Sequence, residues 1–284
     1  MRYGIVVDSG CDADSVERIT GAEVPLEKVP LKIIVGEQEF WDGIGFDADT
    51  MLAALDAYTG KTSTAAPSVG EWREALSHYD AVFGLTITGS LSGSYASAEA
   101  ARKILLEEGS DQQMEILDTL STGPEMTMLA EKLAELIQKK LSFAEISERI
   151  HRYQDSVRLL YVLQSVDNLV RNSRLSHLVG RAISVLNIRI LGRASTEGRL
   201  EILQKCRGRE KAYERLVETM LEDGYRGGKV VISHCNNLPM AELVCSKIRA
   251  LYQNAEIYVM KSKGLNTYYA EKGGLLVGFE RAAV

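Results

Sequence analysis

The stretch Leu85-Thr86-Ile87-Thr88-Gly89-Ser90-Leu91-Ser92-Gly93-Ser94-Tyr95 turns an apolar run abruptly into glycines and hydroxyls. The run from Ala81 to Ile87 predicts a buried strand, and Ala96-Ser97-Ala98-Glu99-Ala100-Ala101-Arg102 predicts a helix just beyond it. Glycine lets a backbone approach a ligand closely, and the first turn of a helix leaves N–H groups unpaired. A strand–loop–helix corner of this kind suits an anion, here offered neutral hydroxyls. The expectation is that an acidic group of some ligand sits at this corner.

The same pattern recurs on either side. Ile5 to Val7 leads into Asp8-Ser9-Gly10, and Glu115-Ile116-Leu117 leads into Asp118-Thr119-Leu120-Ser121-Thr122-Gly123-Pro124 and a helix reaching about Lys140. Strands alternating with helices predict a parallel sheet covered on both faces, with ligands beyond the carboxyl ends of its strands. All three polar corners would gather there. Ser68 with Glu71, and Ser142 with Glu145, have capping-box spacing and fix two helix starts. The second of these helices leads out of the first domain near residue 155.

The second half reads differently. Arg189 to Ser195 and Arg199 to Gln204 flank a predicted hairpin turn at Thr196-Glu197-Gly198. Tyr213, Leu216, Val217, Met220 and Leu221 make one apolar helix face, with Gly224 placed to end the helix. Strands are predicted at 229–233, 256–261 and 274–279, with a helix from Met240 to Tyr252. The expected fold is α/β with two domains: an α/β/α parallel-sheet domain over 1–155 and a smaller mixed-sheet α/β domain over 156–284.

A formal charge of −6 argues against general nucleic-acid binding, which needs basic surface. The charge is uneven. From Arg171 to Lys211 there are ten basic and three acidic residues, a local +7 that leaves −13 for the remainder. That segment suits an acidic partner or an anionic membrane surface, or is simply a solvated face. Cys11, Cys206, Cys235 and Cys245 show no C-x-x-C spacing, so reduced thiols are expected and a zinc site is not. With no signal peptide and no membrane-length apolar run, the expected location is cytoplasmic.

Nucleotide signatures are missing: neither G-x-x-x-x-G-K-[ST] nor G-x-G-x-x-G follows a strand. Nor is the Gly89–Gly93 corner a nucleophile elbow, because Ser90 stands where G-x-S-x-G requires glycine. His78, His151, His177 and His234 lack metal-ligand spacing. The serines at 90–94 read as helix-capping residues as readily as ligand donors. A second hydroxyl cluster, Thr62-Ser63-Thr64-Ala65-Ala66-Pro67-Ser68, reads equally as a loop feeding the Ser68 cap.

Taken together, the two clusters resemble the DegV family. Its early D-S strand end, T-S-x-P-S segment, L-S-G-T-Y-x-S-A segment, D-S corner and G-G-R-[IL] segment are matched by Asp8-Ser9, Thr64-Ala65-Ala66-Pro67-Ser68, Leu91-Ser92-Gly93-Ser94-Tyr95-Ala96-Ser97-Ala98, Asp118-Thr119 and Asn172-Ser173-Arg174-Leu175. Order and spacing hold across nearly the whole chain. The resemblance implies a long-chain fatty acid bound between two domains. It also implies a role as the acyl-carrying subunit of a fatty-acid kinase, without catalysis or cofactor of its own. A separate ATP-binding subunit would phosphorylate the carboxylate, and a transient membrane contact fits the same picture.

Carried over residue by residue, the carboxylate-binding pair falls on Thr64 and Ser92, with Gly93 and Ser94 completing the head-group loop. The G-G-R arginine falls on Arg174 and that of an R-x-[KR] segment on Arg207; both are assigned to partner docking. Three departures stand out. Ala65 replaces a serine, Asn172-Ser173 replaces Gly-Gly, and the histidine of a late H-x-G-P-G segment is replaced by Tyr269. Whether Tyr269 or Tyr268 faces the head group stays open. Two other functions compete: a hydrolase or transferase acting on a small anionic substrate with Ser92 as nucleophile, which needs a base beside that serine, and a regulatory ligand-binding module.

Overall fold

The computed structural model describes residues 1–16, 24–176 and 187–282. The chain opens with strands β1 (Tyr3–Asp8) and β2 (Leu26–Val29). Next come three short antiparallel strands, β3 (Lys32–Val35), β4 (Gln38–Trp41) and β5 (Thr62–Ala65), with helix α1 (Ala48–Ala57) between the last two. Helix α2 (Val69–Ser77), strand β6 (Ala81–Thr86), helix α3 (Ser94–Glu107), strand β7 (Gln113–Asp118) and helices α4 (Pro124–Gln138) and α5 (Phe143–Ser156) follow.

Strands order as β2-β1-β6-β7, all parallel. Successive strand residues point to opposite faces, and the core divides accordingly. Ile5, Val7, Phe83, Leu85 and Leu117 pack under Met126, Leu129 and Leu133 of α4 and Ile146 and Ile150 of α5. Val6, Val82 and Ile116 pack under Trp72 and Leu76 of α2 and Ala98, Ala101 and Leu105 of α3. Burying each large side chain contributes about 1.5–3 kcal/mol, so two such faces make a three-layer α/β/α unit. Both capping boxes form: Ser68 and Ser142 accept from the backbone of Glu71 and Glu145, whose carboxylates reach back.

The chain crosses to a second sheet where α5 ends at Ser156 and β8 (Val157–Leu163) begins. After helix α6 (Asp167–Arg171) come β9 (Ile188–Ala194), β10 (Leu200–Arg207), helix α7 (Arg209–Glu222) and β11 (Tyr225–His234). Helix α8 (Leu238–Leu251), β12 (Ile257–Lys261), helix α9 (Gly264–Ala270) and β13 (Leu275–Arg281) complete it. The order is β10-β9-β8-β13-β11-β12, antiparallel except for the β11–β12 pair. One face (Leu160, Val162, Leu191, Val230, Val277, Phe279) is covered by α7 and α8. The other, with Leu159, Tyr161, Leu163, Ile190 and Leu276, packs with Val166 and Leu169 near α6 and Ala270 of α9.

Thr62 to Ala65 differs from the expected loop: it is strand β5, paired with β3. Ile33, Val35 and Met51 of the small sheet and α1 pack against Tyr268 of α9. An element of the first half thereby seats the helix that carries both candidate tyrosines.

Candidate functional site

The three polar corners meet at the carboxyl ends of the parallel strands. Asp8 accepts from the N–H of Gly10 (2.8 Å) and of Ile87 (2.9 Å). Gly123 N–H donates to Gly10 O and Thr88 N–H to Ser121 O (3.0 Å), while both oxygens of Asp118 take the Gly89 N–H at 3.1 Å. The acids of the D-S corners are therefore tied to backbone amides and shape the loops. Burial pushes the Asp8 carboxyl up to about 6; the facing Ser94 hydroxyl, the two amides and the Lys28 charge pull the other way.

Beside these corners lies a cavity of about 250 Å³, near the lower end of small-molecule pockets. Its walls come from all three sheets: Leu31 and Thr64 from the small sheet region, Ile87 and Leu91 from the β6 corner, and Leu159, Leu163 and Leu276 from the mixed sheet. Most lining is aliphatic. Of the polar lining groups, Thr122 donates to Asn266 Oδ1 (2.8 Å), Asn266 donates to Gly10 O and Asp12, and the Tyr161 hydroxyl donates to Glu201 O (3.2 Å).

The remaining polar lining is Thr64, Ser92, Gly93, Arg174 and Tyr269. Thr64 Oγ1 and Tyr269 Oη share a hydrogen bond of 2.8 Å. The Ser92 hydroxyl accepts from Ser94 N–H at 3.3 Å. Arg174 donates through Nε to Leu91 O (3.2 Å) and through Nη1 to Asn172 O. A Cβ built on Gly93 would meet Ala66 Cβ at 3.9 Å, so the β6 corner and the end of β5 lie side by side. Gly93 and Ala66 are exposed while Thr64, Ser92, Arg174 and Tyr269 are half-buried. The polar rim thus opens to solvent.

Tyr269 and not Tyr268 lines the cavity. Tyr268 is fully buried, its hydroxyl 2.7 Å from Thr62 Oγ1 and taking a bond from Asn172 Nδ2 at 2.9 Å. Desolvation pushes the Tyr269 phenol above its usual range, against the Thr64 hydrogen bond and the Arg174 charge. Ser94 is buried and is not part of the cavity lining. Arg207 is exposed at the end of β10, apart from the lining, whereas Arg174 borders the cavity itself. The cavity walls on β8 and β13 were hidden in sequence, because runs apolar on both faces carry no mark of which face meets a ligand.

Ser92 lacks the base that nucleophilic chemistry needs: no histidine or carboxylate is among the described lining residues. His78 and His151 bond Glu27 and Glu115, His234 accepts from Asn237 N–H, and His177 lies outside the described residues. Among the described residues, no helix is long and apolar enough to cross a membrane. An apolar cavity with a rim of hydroxyls and one guanidinium fits an amphiphile with an acidic end.

Known proteins share this architecture. A DegV domain-containing protein of Streptococcus pyogenes serotype M1 is 44% identical over 280 residues, covering 99% of this chain and 100% of its own. The crystal structure of the Streptococcus pneumoniae fatty acid kinase (Fak) B3 protein loaded with linoleic acid has a TM-score of 0.95 at 39% identity, covering 99% of each chain. A DegV family protein from Eubacterium eligens loaded with heptadecanoic acid gives 0.93 at 36% identity, covering 98% of this chain and 99% of its own. The family model described as "Uncharacterised protein, DegV family" matches residues 2–280, and the chain belongs to that family.

Proposed function

We propose that this protein holds a long-chain fatty acid between its two domains, 1–155 and 156–284, and presents the carboxylate to a separate ATP-binding kinase subunit. The observation that carries this reading is the aliphatic cavity whose polar lining concentrates at a solvent-open rim. Burying the tail contributes about 0.8 kcal/mol per methylene, so affinity comes from the chain and the rim has only to orient the acid. Ser92 and the Thr64–Tyr269 pair donate to the carboxylate, and the exposed Gly93 leaves the loop open for its approach. Arg174 adds a positive charge already shared with two backbone carbonyls. That sharing leaves the carboxylate available to attack the γ-phosphorus of ATP. One carboxylate oxygen forms the new P–O bond, ADP leaves, and an acyl phosphate results.

Arg174, at the rim, and the exposed Arg207 face the partner; the basic 171–211 segment also suits a passing contact with an anionic membrane. The protein supplies no catalytic group or cofactor in this scheme, binds no nucleic acid, and works in the cytoplasm. Native mass spectrometry of protein purified without added lipid is expected to show a bound fatty acid. An empty protein that also fails to take up oleate or palmitate overturns the reading. Replacing Thr64 and Ser92 together with alanine is expected to lower acyl-phosphate formation with a cognate kinase far more than tail affinity. Unaltered acyl-phosphate formation refutes their roles, and lipid binding without any ATP-dependent product favours a regulatory module.

A further inference from the structure

We infer that the Tyr268 hydroxyl, which is not part of the cavity lining, is the positioning node of the head-group rim. Beside Ser92 and Gly93 of the β6 corner, three separate segments deliver the other rim residues: β5 brings Thr64, the turn after α6 brings Arg174, and α9 brings Tyr269. Each carries a second polar side chain that is not part of the cavity lining, and these three converge. Tyr268 Oη lies 2.7 Å from Thr62 Oγ1 and accepts from Asn172 Nδ2 at 2.9 Å. Thr62 and Thr64 are two apart on one strand and therefore share a face, so adjacent tyrosines of α9 each take one threonine.

Supporting bonds fix the same three pieces. Asn172 Nδ2 also donates to Asn168 O (2.9 Å), and Asn168 Nδ2 donates to Tyr268 O (2.8 Å), so α6 is tied to α9 at both backbone and side chain. Asn172 stands immediately before Ser173, whose φ of +61° bends the chain so that Arg174 reaches Leu91 O. The two tyrosine rings meet edge to face at 4.8 Å. Moving the Tyr268 ring therefore moves Tyr269. Asn172 occupies a Gly-Gly position of the DegV pattern, where glycine has no side-chain amide for this bond.

The inference rests on the fatty-acid reading, and its test separates the two. Tyr268→Phe keeps the ring and removes the shared hydroxyl; Asn172→Ala breaks the same bond from the other side. Affinities for oleic acid and for oleyl alcohol, which has the same tail without the carboxylate, are measured on each variant after delipidation. Tyr268→Phe is expected to weaken oleic acid about fivefold, the scale of one hydrogen bond, and to leave the alcohol unchanged. Asn172→Ala is expected to do the same, and the double variant to be no worse than either single. Equal losses for acid and alcohol, or no loss for the acid, overturn the positioning role. If Tyr268→Phe does not fold, Asn172→Ala alone decides by the same split. A parent protein that binds neither compound overturns the functional reading itself.

Discussion

Gly198→Ala tests one of the contacts between the parallel-sheet and mixed-sheet domains. The β9–β10 turn is clamped from the β6 corner: Thr88 Oγ1 donates to Gly198 O at 2.9 Å and Ser90 Oγ donates to Glu197 O at 2.7 Å. Gly198 has φ +71°, and a Cβ there would fall 2.1 Å from Thr88 Oγ1 and 3.0 Å from Leu120 Cα. Alanine in left-handed backbone costs about 1–2 kcal/mol. The added methyl also forces the turn off Thr88, losing two hydrogen bonds of about 1 kcal/mol each. Together the strain and the lost bonds weaken the clamp by about 3–4 kcal/mol, roughly a several-hundredfold increase in local opening. Hydrogen exchange is the assay, read on residues 195–201 and 88–92 against the remote α8. Faster exchange confined to those two segments is expected. Parent-like exchange there, with an unchanged melting temperature, refutes the clamp.

Ser173→Gly is expected to stabilise the protein by about 0.5–1 kcal/mol, because glycine relieves the cost of φ +61° and gives back part of it as chain entropy; urea unfolding measures it, and a destabilised variant refutes the strain. Glu125, buried in the first turn of α4 with Ser121 donating to it at 2.6 Å and Arg158 nearby, is pushed up to about 7 by burial. The unfolded chain releases this proton near 4.5 while the folded one keeps it, so stability falls as pH rises from about 4.5 to 7, by about 3 kcal/mol in all. Glu125→Gln is expected to match the parent at pH 4.5 and to melt higher at pH 8; parallel melting curves across that range rule out the burial effect.

Most of the framework was legible because its signals are local. Strands β1, β6 and β7 each end in a Gly, Ser or Thr corner, both capping boxes form, and the hairpin turn has its glycine at positive φ. The edge strand β2, which runs into Pro30-Leu31, has no such corner and was missed. The small sheet was not legible. Its strands are four residues long, and Thr62-Ser63-Thr64-Ala65 has the composition of a loop; pairing with β3 makes it a strand. Thr64 and Ser92 were readable from motif order and do border one cavity. The choice between Tyr268 and Tyr269 depends on the rotation of a seven-residue helix. That rotation is set from outside, by the Asp42 carboxylate accepting from Gly264 and Leu265 N–H and by packing on α1. No pattern within the helix records it. Arg174 likewise reaches the rim through a turn whose geometry only the folded chain specifies.

Asp8, Asp42 and Asp118 each hold backbone N–H groups of distant segments. On the proposed function, an assay scoring only lost phosphorylation would rank Asp8→Ala beside Ser92→Ala, although the first removes bonds to two backbone amides and the second a proposed ligand donor. Cellular protein abundance, scored in parallel, tells these apart: scaffold losses deplete the protein, whereas donor losses leave it plentiful and idle.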